Sequence, residues 1–234
     1  MCARTSITRT LAEIQERFRP DAVQGELFLP RYNAAPTHET PVLYGADGKA
    51  VLAPFRWGLI PSWAKEPAIG AKMINARRET LKEKASYKNL LKDRRCLVVA
   101  DGFYEWVTEA GGRRHPVRVT LKSGDLFAIA GLWTAWKDPK GRTVNTYTVI
   151  TDSSESCAPL KNLHDRMPVI LNQTLERQWL DPRISLDDVL AQNRALELDV
   201  YEVSKAVNSP RNEGPECIRR VDPEPPSLNL QLPL

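Results

Sequence analysis

The stretch RCLVVADGFYEWV, residues 95–107, predicts a strand that is buried in the protein. Five of the six residues from Cys96 to Asp101 are apolar, a run that is typical of a core strand. A hairpin is predicted directly after it, with Gly111 and Gly112 in the turn. Short strands of this kind dominate the chain, and a strict alternation of strands and helices is absent.

Helices are predicted at intervals between these strands. They cover residues 6–18, 79–94, 175–183 and 185–195. We therefore expect an α+β fold, a single domain at residues 1–220 with a mostly antiparallel, barrel-like β-sheet core and inserted helices. Six of the 18 prolines fall in the last 27 residues, so a mobile Pro-rich tail is predicted at residues 221–234.

The composition is that of an ordinary soluble domain. Of the 234 residues 42% are hydrophobic and 26% are charged, and the net charge of +4 is compatible with a polyanionic partner without requiring one. Long apolar runs and a signal peptide are both missing, so we expect a cytoplasmic protein that does not enter a membrane. The four cysteines lack CxxC spacing, so neither a metal site nor a redox pair is predicted.

Cys2 directly follows the initiator Met1, and this position is chemically unusual. Aminopeptidases remove Met1 when the next side chain is small, which leaves an amine with a pKa of about 8 and a thiol with a pKa of about 8.5 on adjacent carbons. The amine condenses with an aldehyde to an imine, and the thiol then closes a five-membered thiazolidine ring. The alternative is that Cys2 is an incidental second residue.

Two residues downstream are candidates for proton transfer. Glu105 ends the buried strand, where alternation places it on the face of Phe103 and opposite Tyr104 and Trp106. Apolar surroundings would raise its pKa toward neutrality. His164 lies in a polar cluster before an apolar strand, which favours an active-site loop. The alternatives are an exposed strand end for the glutamate and a surface turn for the histidine.

Two further segments carry candidate binding residues. In MINARRET, Asn75 can orient a substrate carbonyl or hydroxyl, and Arg77 can hold a phosphate. In FRWGLIPSWAK, Trp57 and Trp63 flank Pro61 beside basic residues, a pattern typical of platforms that stack single-stranded bases. The alternatives are a helix cap with solvated arginines and tryptophans buried in a turn.

Taken together, nine stretches of the chain resemble the SRAP (SOS-response-associated peptidase) family, the abasic-site processing proteins. The stretches are MCAR, RYNAAPT, RWGLIPSWAK, MINARRET, CLVVADGFYEW, AIAGLW, TYTVIT, LHDRMPVIL and VNSPRN. They cover the chain from residue 2 to about residue 220.

The resemblance implies a partner and a reaction. The partner is single-stranded DNA that contains an abasic site, and the reaction is a covalent thiazolidine cross-link between the N-terminal cysteine and the ring-opened sugar. The adduct shields the lesion from strand cleavage. Neither a cofactor nor a metal is implied, and we expect a monomer. The family is also credited with a peptidase activity that exposes the cysteine, and strand cleavage of the lyase type is left open.

The resemblance also assigns catalytic roles. Cys2 is the nucleophile, and Asn75 orients Cys2 or the opened sugar. Glu105 assists proton transfer, and His164 acts as acid and base and stabilises the sugar oxygen. The family usually has glycine after the catalytic cysteine, whereas this chain has Ala3, and we expect the added methyl group to affect efficiency rather than identity.

The remaining roles concern DNA binding. Arg77 would grip the phosphate next to the lesion, with Arg4 as a helper. The turn that contains Trp57, Pro61 and Trp63 would stack or wedge against the flanking bases.

Two other functions stay open from the residues alone. An N-terminal-nucleophile amidohydrolase also uses a residue of this kind, with the free amine as base, but has no need of the basic and tryptophan-rich segments. A plain single-stranded DNA-binding module would explain Arg77 and the tryptophans. It would leave Cys2, Glu105 and His164 without a role.

Overall fold

The computed structural model describes residues 2–27, 29–109 and 111–221. Within these ranges the strands are β1 (Thr5–Ile7), β2 (Ala22–Val23), β3 (Arg31–Ala34), β4 (Glu39–Ala46), β5 (Lys49–Trp57), β6 (Asn75–Arg77), β7 (Arg95–Ala100), β8 (Gly102–Thr108), β9 (Arg114–Leu121), β10 (Phe127–Lys137), β11 (Thr143–Ser153), β12 (Arg166–Pro168), β13 (Ile170–Leu171) and β14 (Leu198–Glu202). The α-helices are α1 (Leu11–Phe18), α2 (Ala85–Lys88), α3 (Gln173–Leu180) and α4 (Leu186–Gln192). Short 3₁₀ helices cover Pro67–Lys72, Arg78–Thr80, Lys205–Asn208 and Pro215–Ile218.

Five strands close into a barrel. β5 pairs with β4, β4 with β7, β7 with β10 and β10 with β11, and all of these pairs are antiparallel. The ring is completed where β11 pairs in parallel with the end of β5, with Tyr147 beside Trp57. The predicted α+β fold with a mostly antiparallel, barrel-like sheet is therefore confirmed.

Both faces of β7 are buried, which explains why its sequence is continuously apolar. Cys96 and Val98 pack into the apolar cluster that contains Cys2. Leu97 and Val99 pack into a second cluster, to which α1, α3 and α4 contribute their apolar faces. The strand predicted at residues 95–107 is divided in two by the structure, because β7 ends at Ala100 and β8 begins at Gly102 in a different sheet.

A second sheet carries the N-terminus. Its strand order is β14, β9, β8, β1, β3, so β1 lies between two partners. Both pairings are antiparallel, with Thr5 opposite Phe103 of β8 and opposite Ala34 of β3. Residues this close to a chain end are poorly ordered unless pairing of this kind fixes them.

The predicted helix at residues 6–18 is wrong at its start. Ser6 belongs to β1, and α1 begins only at Leu11. Thr10 is the N-cap and forms a capping box with Glu13. Pairing with β8 and β3 extends the chain where local periodicity alone favours a helix.

The predicted helix at residues 79–94 is also wrong. The segment forms the 3₁₀ helix Arg78–Thr80 and the single turn Ala85–Lys88, joined by turns. Leu81 and Tyr87 are buried in the cluster under the helices. Packing of these side chains along an irregular path overrides a helix propensity that is worth only tenths of a kcal/mol per residue, about 0.7 at most for ordinary residues.

The remaining predicted helices are confirmed. The helix expected at residues 175–183 is α3, and the one expected at 185–195 is α4. The predicted tail at residues 221–234 lies outside the described residues except for Val221.

The buried carboxylate of Asp101 holds β1 in its place within the second sheet. It accepts hydrogen bonds from Ser6 Oγ at 2.7 Å and from the backbone N–H and hydroxyl of Thr8 at 2.7 and 2.5 Å. Arg118 on β9 forms an ion pair with the same carboxylate at 2.7 Å, with both side chains less than 10% exposed. Gly102 is required here, because a Cβ would lie 2.6 Å from Arg118 Nε.

The variant Asp101→Ala tests this anchor. Loss of one partner leaves the Arg118 guanidinium buried without its counter-ion, which costs about 3–5 kcal/mol of unfolding free energy. Urea unfolding of the variant should show this loss. Glu197→Ala is the control, since Glu197 pairs with Lys122 where both side chains are at least 70% exposed, and it should leave stability almost unchanged. Equal stability of the two variants would contradict the anchoring role.

Candidate active site

Cys2 lies fully buried at the start of the chain, three residues before β1. Its thiol donates to the backbone oxygen of Arg4 at 3.8 Å, and it packs in the cluster that contains Phe103 and Val149. Burial raises the pKa of the Cys2 thiol well above its usual range, and the negative charge of Glu105 raises it further. The thiol is therefore protonated in this state.

Asn75 holds Cys2 directly. β6 pairs in parallel with β11, which sets Asn75 beside Val149. The Asn75 amide donates from Nδ2 to the backbone oxygen of Cys2 at 2.7 Å. Its Oδ1 is buried and has no hydrogen-bond partner within the described ranges, so it is available as an acceptor beside the nucleophile.

Glu105 faces the same space from β8. It is 5% exposed and lies on the face of Phe103, as strand alternation predicts, while Tyr104 and Trp106 pack in a separate cluster. Burial raises the pKa of the Glu105 carboxyl, and the nearby His164 acts in the opposite direction. The carboxyl is thus suited to exchange protons closer to neutrality than an exposed glutamate.

His164 lies on the loop between β11 and β12. Its Nδ1 accepts a hydrogen bond from the backbone N–H of Arg166 at 3.0 Å and lies 2.8 Å from a carboxylate oxygen of Asp165. Ser154 donates its hydroxyl to the backbone oxygen of His164. The four residues predicted as catalytic lie in one region of the structure, where Asn75 contacts Cys2 and Glu105 interacts electrostatically with both Cys2 and His164.

The two predicted phosphate-binding arginines differ. Arg77 is exposed and lies two residues after Asn75 in the same strand, hence on the same face. Arg4 instead donates through one nitrogen to Asn33 Oδ1 and to the backbone oxygen of Val207, both at 2.7 Å, and lies over the Trp106 ring. Arg4 thereby binds the C-terminal turns of the domain to the N-terminal segment.

The predicted stacking platform is wrong in part. Trp57 is fully buried, stacks on Tyr147 with the ring centroids 6.1 Å apart, and donates to the backbone oxygen of Ile74. Pro61 is buried as well, whereas Trp63 is 65% exposed. Trp57 is the residue at which the barrel closes, and closure is a long-range feature that a local aromatic pattern does not reveal.

The loop from Gly58 to Ile74 carries Trp63 and ends directly before Asn75. Its ends are fixed on β11, where Gly58 N–H donates to Tyr147 O and Val149 N–H donates to Ile74 O. Gly58 and Gly70 cross at the neck, since a Cβ on Gly58 would lie 2.7 Å from Gly70 O. Trp136 donates its indole N–H to the backbone oxygen of Ala64, beside Trp63. The exposed tryptophan therefore stands on a braced loop.

Sequence reasoning assigned no role to Asp101, Arg118, Glu79 or Arg166, all of which brace the site. Asp101, Glu79 and Arg166 lie within the matched stretches, and Arg118 pairs with Asp101. No local pattern in the sequence shows which partner a buried charged residue pairs with. In the part of the chain that the structure describes, no group of three His, Cys, Asp or Glu side chains is placed to hold a metal ion. Nor is any helix there long and apolar enough to cross a membrane.

Comparison with known proteins identifies the family of this chain. The family model for SOS response associated peptidase (SRAP) matches residues 1–210. The Bacillus subtilis (strain 168) protein named abasic site processing protein YoqW is 41% identical over 224 residues, which are 93% of this chain and 99% of the relative. The Rattus norvegicus protein named abasic site processing protein HMCES is 33% identical, over 95% of this chain and 76% of the relative.

A solved structure shares the fold. The X-ray structure of a Bacteroides thetaiotaomicron protein superposes with a TM-score of 0.81 at 25% identity, and the match covers 94% of this chain and 100% of that one. The chain described here belongs to the SRAP family.

The buried Glu105 predicts how stability depends on pH. Because its folded-state pKa is raised above the ordinary value of 4.5, folding favours the protonated form, and the wild type loses stability as pH rises from about 4.5 through the raised pKa. The variant Glu105→Gln has no carboxyl to ionise at this position, so it does not lose stability in this way as pH rises. In urea unfolding between pH 4 and pH 8, its stability relative to wild type should therefore increase with pH.

Glu13→Gln is the control of opposite sign. Hydrogen bonds from Thr10 lower the pKa of Glu13, so its contribution is present above the ordinary carboxyl range and is lost as pH falls through the lowered pKa. This variant should be less stable than wild type at neutral pH and should converge with it in acid. A flat difference for Glu105→Gln would show that folding does not raise the pKa of the Glu105 carboxyl.

Proposed function

We propose that this protein senses abasic sites in single-stranded DNA and bonds to them covalently through Cys2. The observation that carries the proposal is the placement of Cys2 at the extreme N-terminus, held through its backbone by Asn75 and beside the buried Glu105. The names of the relatives, abasic site processing proteins, support the lesion as the target. The protein would act as a cytoplasmic monomer on damaged DNA.

The reaction needs an aldehyde and the two groups of an N-terminal cysteine. Release of Met1, by the protein itself or by an aminopeptidase, frees the α-amine. The amine attacks the ring-opened sugar aldehyde, and loss of one water gives the imine. The thiol sulfur then bonds to the imine carbon while its proton passes to the nitrogen, which closes the thiazolidine. Release of Met1 consumes one water by hydrolysis, imine formation loses one, and neither an oxidant nor a reductant is consumed.

The neighbouring side chains supply what this sequence of steps requires. The thiol starts protonated, so its addition needs a nearby group that accepts and returns a proton. Glu105, with its raised pKa, is placed for that transfer, and His164 serves the sugar oxygen as acid and base. The buried Oδ1 of Asn75 accepts a hydrogen bond from the α-amine or from the opened sugar.

DNA is held beside the nucleophile by a small number of groups. Arg77 is exposed on the face of Asn75 and would pair with the phosphate next to the lesion. Trp63, exposed on its braced loop, would stack on a flanking base. The buried Trp57 supports this loop rather than contacting DNA.

A denaturing gel tests the proposal directly. Wild-type protein is incubated with a single-stranded oligonucleotide that carries one abasic site, and a heat-stable protein–DNA band is expected. Cys2→Ala should give no band. Cys217→Ala is the matched control, because it removes a buried cysteine from a different cluster, and it should cross-link like wild type. Absence of a band with wild type would overturn the proposed function.

Arg77→Gln tests the phosphate contact. The affinity for an undamaged single-stranded oligonucleotide should fall, and the slope of log K against log salt should shrink by about 0.7, the value for one phosphate contact in a single strand. Arg183→Gln removes an equal charge from a side chain that is 87% exposed and paired with Asp181, and should leave the slope unchanged. An unchanged slope for Arg77→Gln would remove Arg77 from the DNA contact.

A further inference from the structure

Arg166 joins two segments of the site through an ion pair in which the arginine is buried and Glu79 is half-exposed. Its side chain donates to both carboxylate oxygens of Glu79, with NH2 to Oε2 at 2.9 Å, and to the backbone oxygen of Thr151 at 2.7 Å. Arg166 is 8% exposed. These hydrogen bonds lower the pKa of Glu79 to about 2, so the carboxylate stays charged at any pH at which the protein works. The pair therefore fixes the start of β12 against the segment that follows β6.

The same residue binds His164 through its backbone. The N–H of Arg166 donates to His164 Nδ1 at 3.0 Å, and the backbone N–H of Ser154 donates to Asp165 O at 3.1 Å. The pairing of β12 with β11 directs this N–H, and the guanidinium contacts with Glu79 and Thr151 help to hold Arg166 in that position. The ion pair and the histidine ring are thus connected through one residue.

Two groups compete for Nδ1 of the ring. A nitrogen that accepts a hydrogen bond from a backbone N–H presents its lone pair, so the contact with Arg166 favours the neutral ring that carries its proton on Nε2. Asp165, which is 80% exposed, lies 2.8 Å from the same Nδ1, and its carboxylate would instead accept a proton held on that nitrogen. Glu105 also acts on the ring electrostatically.

We propose that the Glu79–Arg166 ion pair is a positioning device for His164. It sets the ring orientation and keeps the proton of the neutral ring on Nε2, the form in which His164 can donate to the sugar oxygen and then act as a base. The proposal rests on the proposed function, in which His164 moves that proton. Arg166 is accordingly a positioning residue, and its guanidinium is committed to protein partners rather than to DNA.

The competing role for this pair makes the opposite prediction. Glu79 is 54% exposed and lies on the segment that carries Arg77, and in this competing role its carboxylate is a cover that DNA phosphate displaces from Arg166. Removal of the Glu79 charge would then free Arg166 and strengthen DNA binding. A positioning role instead predicts that the affinity for DNA is unchanged and that cross-linking is slower.

Glu79→Gln separates the two roles, with Asp187→Asn as the matched control. Asp187 forms an ion pair with Lys82, is 60% exposed and has no connection to His164, so its variant makes the same change in net charge. At saturating abasic oligonucleotide, Glu79→Gln should cross-link about tenfold more slowly than wild type or slower still, since general acid–base groups contribute about 10²–10⁴ in rate. Asp187→Asn should react like wild type, and both variants should bind undamaged DNA equally well.

The outcomes are distinguishable. An unchanged saturated rate in Glu79→Gln, with tighter binding than in Asp187→Asn, would overturn the proposal and make Arg166 a phosphate ligand. Glu79→Asp keeps the charge and should recover most of the rate. If wild type forms no cross-link, the proposed function fails instead, and the tautomer is then tested without activity.

Nitrogen NMR of the imidazoles provides that readout. The chain has three histidines, so His164→Asn assigns the His164 signals by difference. Wild type above the titration range should show the Nε2–H tautomer, and Glu79→Gln should show a mixture of tautomers while the signals of His38 and His115 stay in place. A retained Nε2–H tautomer in Glu79→Gln would exclude the positioning role whether or not DNA is present.

Discussion

The site depends on the pairing of β1 between β8 and β3. A nucleophile at the second residue is connected to the fold on one side only, and chain ends fray unless they are held. Asp101 supplies the hold by accepting hydrogen bonds from Ser6 and Thr8 while it is paired with the buried Arg118. Asn75 then secures the backbone of Cys2 itself. These contacts fix the N-terminal segment in position as firmly as a strand in the core.

Much of this arrangement can be predicted from the sequence, because its signals are local. The apolar run of β7 predicts a buried strand, and alternation along β8 places Glu105 opposite Tyr104 and Trp106. The resemblance of the matched motifs to a known family groups Cys2, Asn75, Glu105 and His164. What cannot be predicted is long-range. Ser6 is extended because it lies in β1, which pairs with two distant strands.

The same limit explains the tryptophans and the charged braces. Trp57 and Trp63 have similar neighbours in sequence, and only closure of the barrel at β11 buries the first and leaves the second exposed. Glu79 and Arg166 are separated by 87 residues, so their pairing has no signature in either local segment. The structural role of a buried charged residue can be inferred only when its ion-pair partner is known.

The charges around Cys2 suggest how selectivity arises under the proposed function. Arg4 and Arg166 lie near the site, but both donate their hydrogen bonds to protein groups. Arg4 donates to Asn33 and Val207, and Arg166 donates to Glu79 and Thr151. Arg77 is therefore the exposed cation on the face of Asn75. A site with few phosphate contacts binds undamaged DNA weakly at physiological salt, since each contact contributes through counter-ion release. Discrimination must then come from chemistry. Only a strand that offers an aldehyde engages both the amine and the buried thiol, so the covalent step itself performs the recognition.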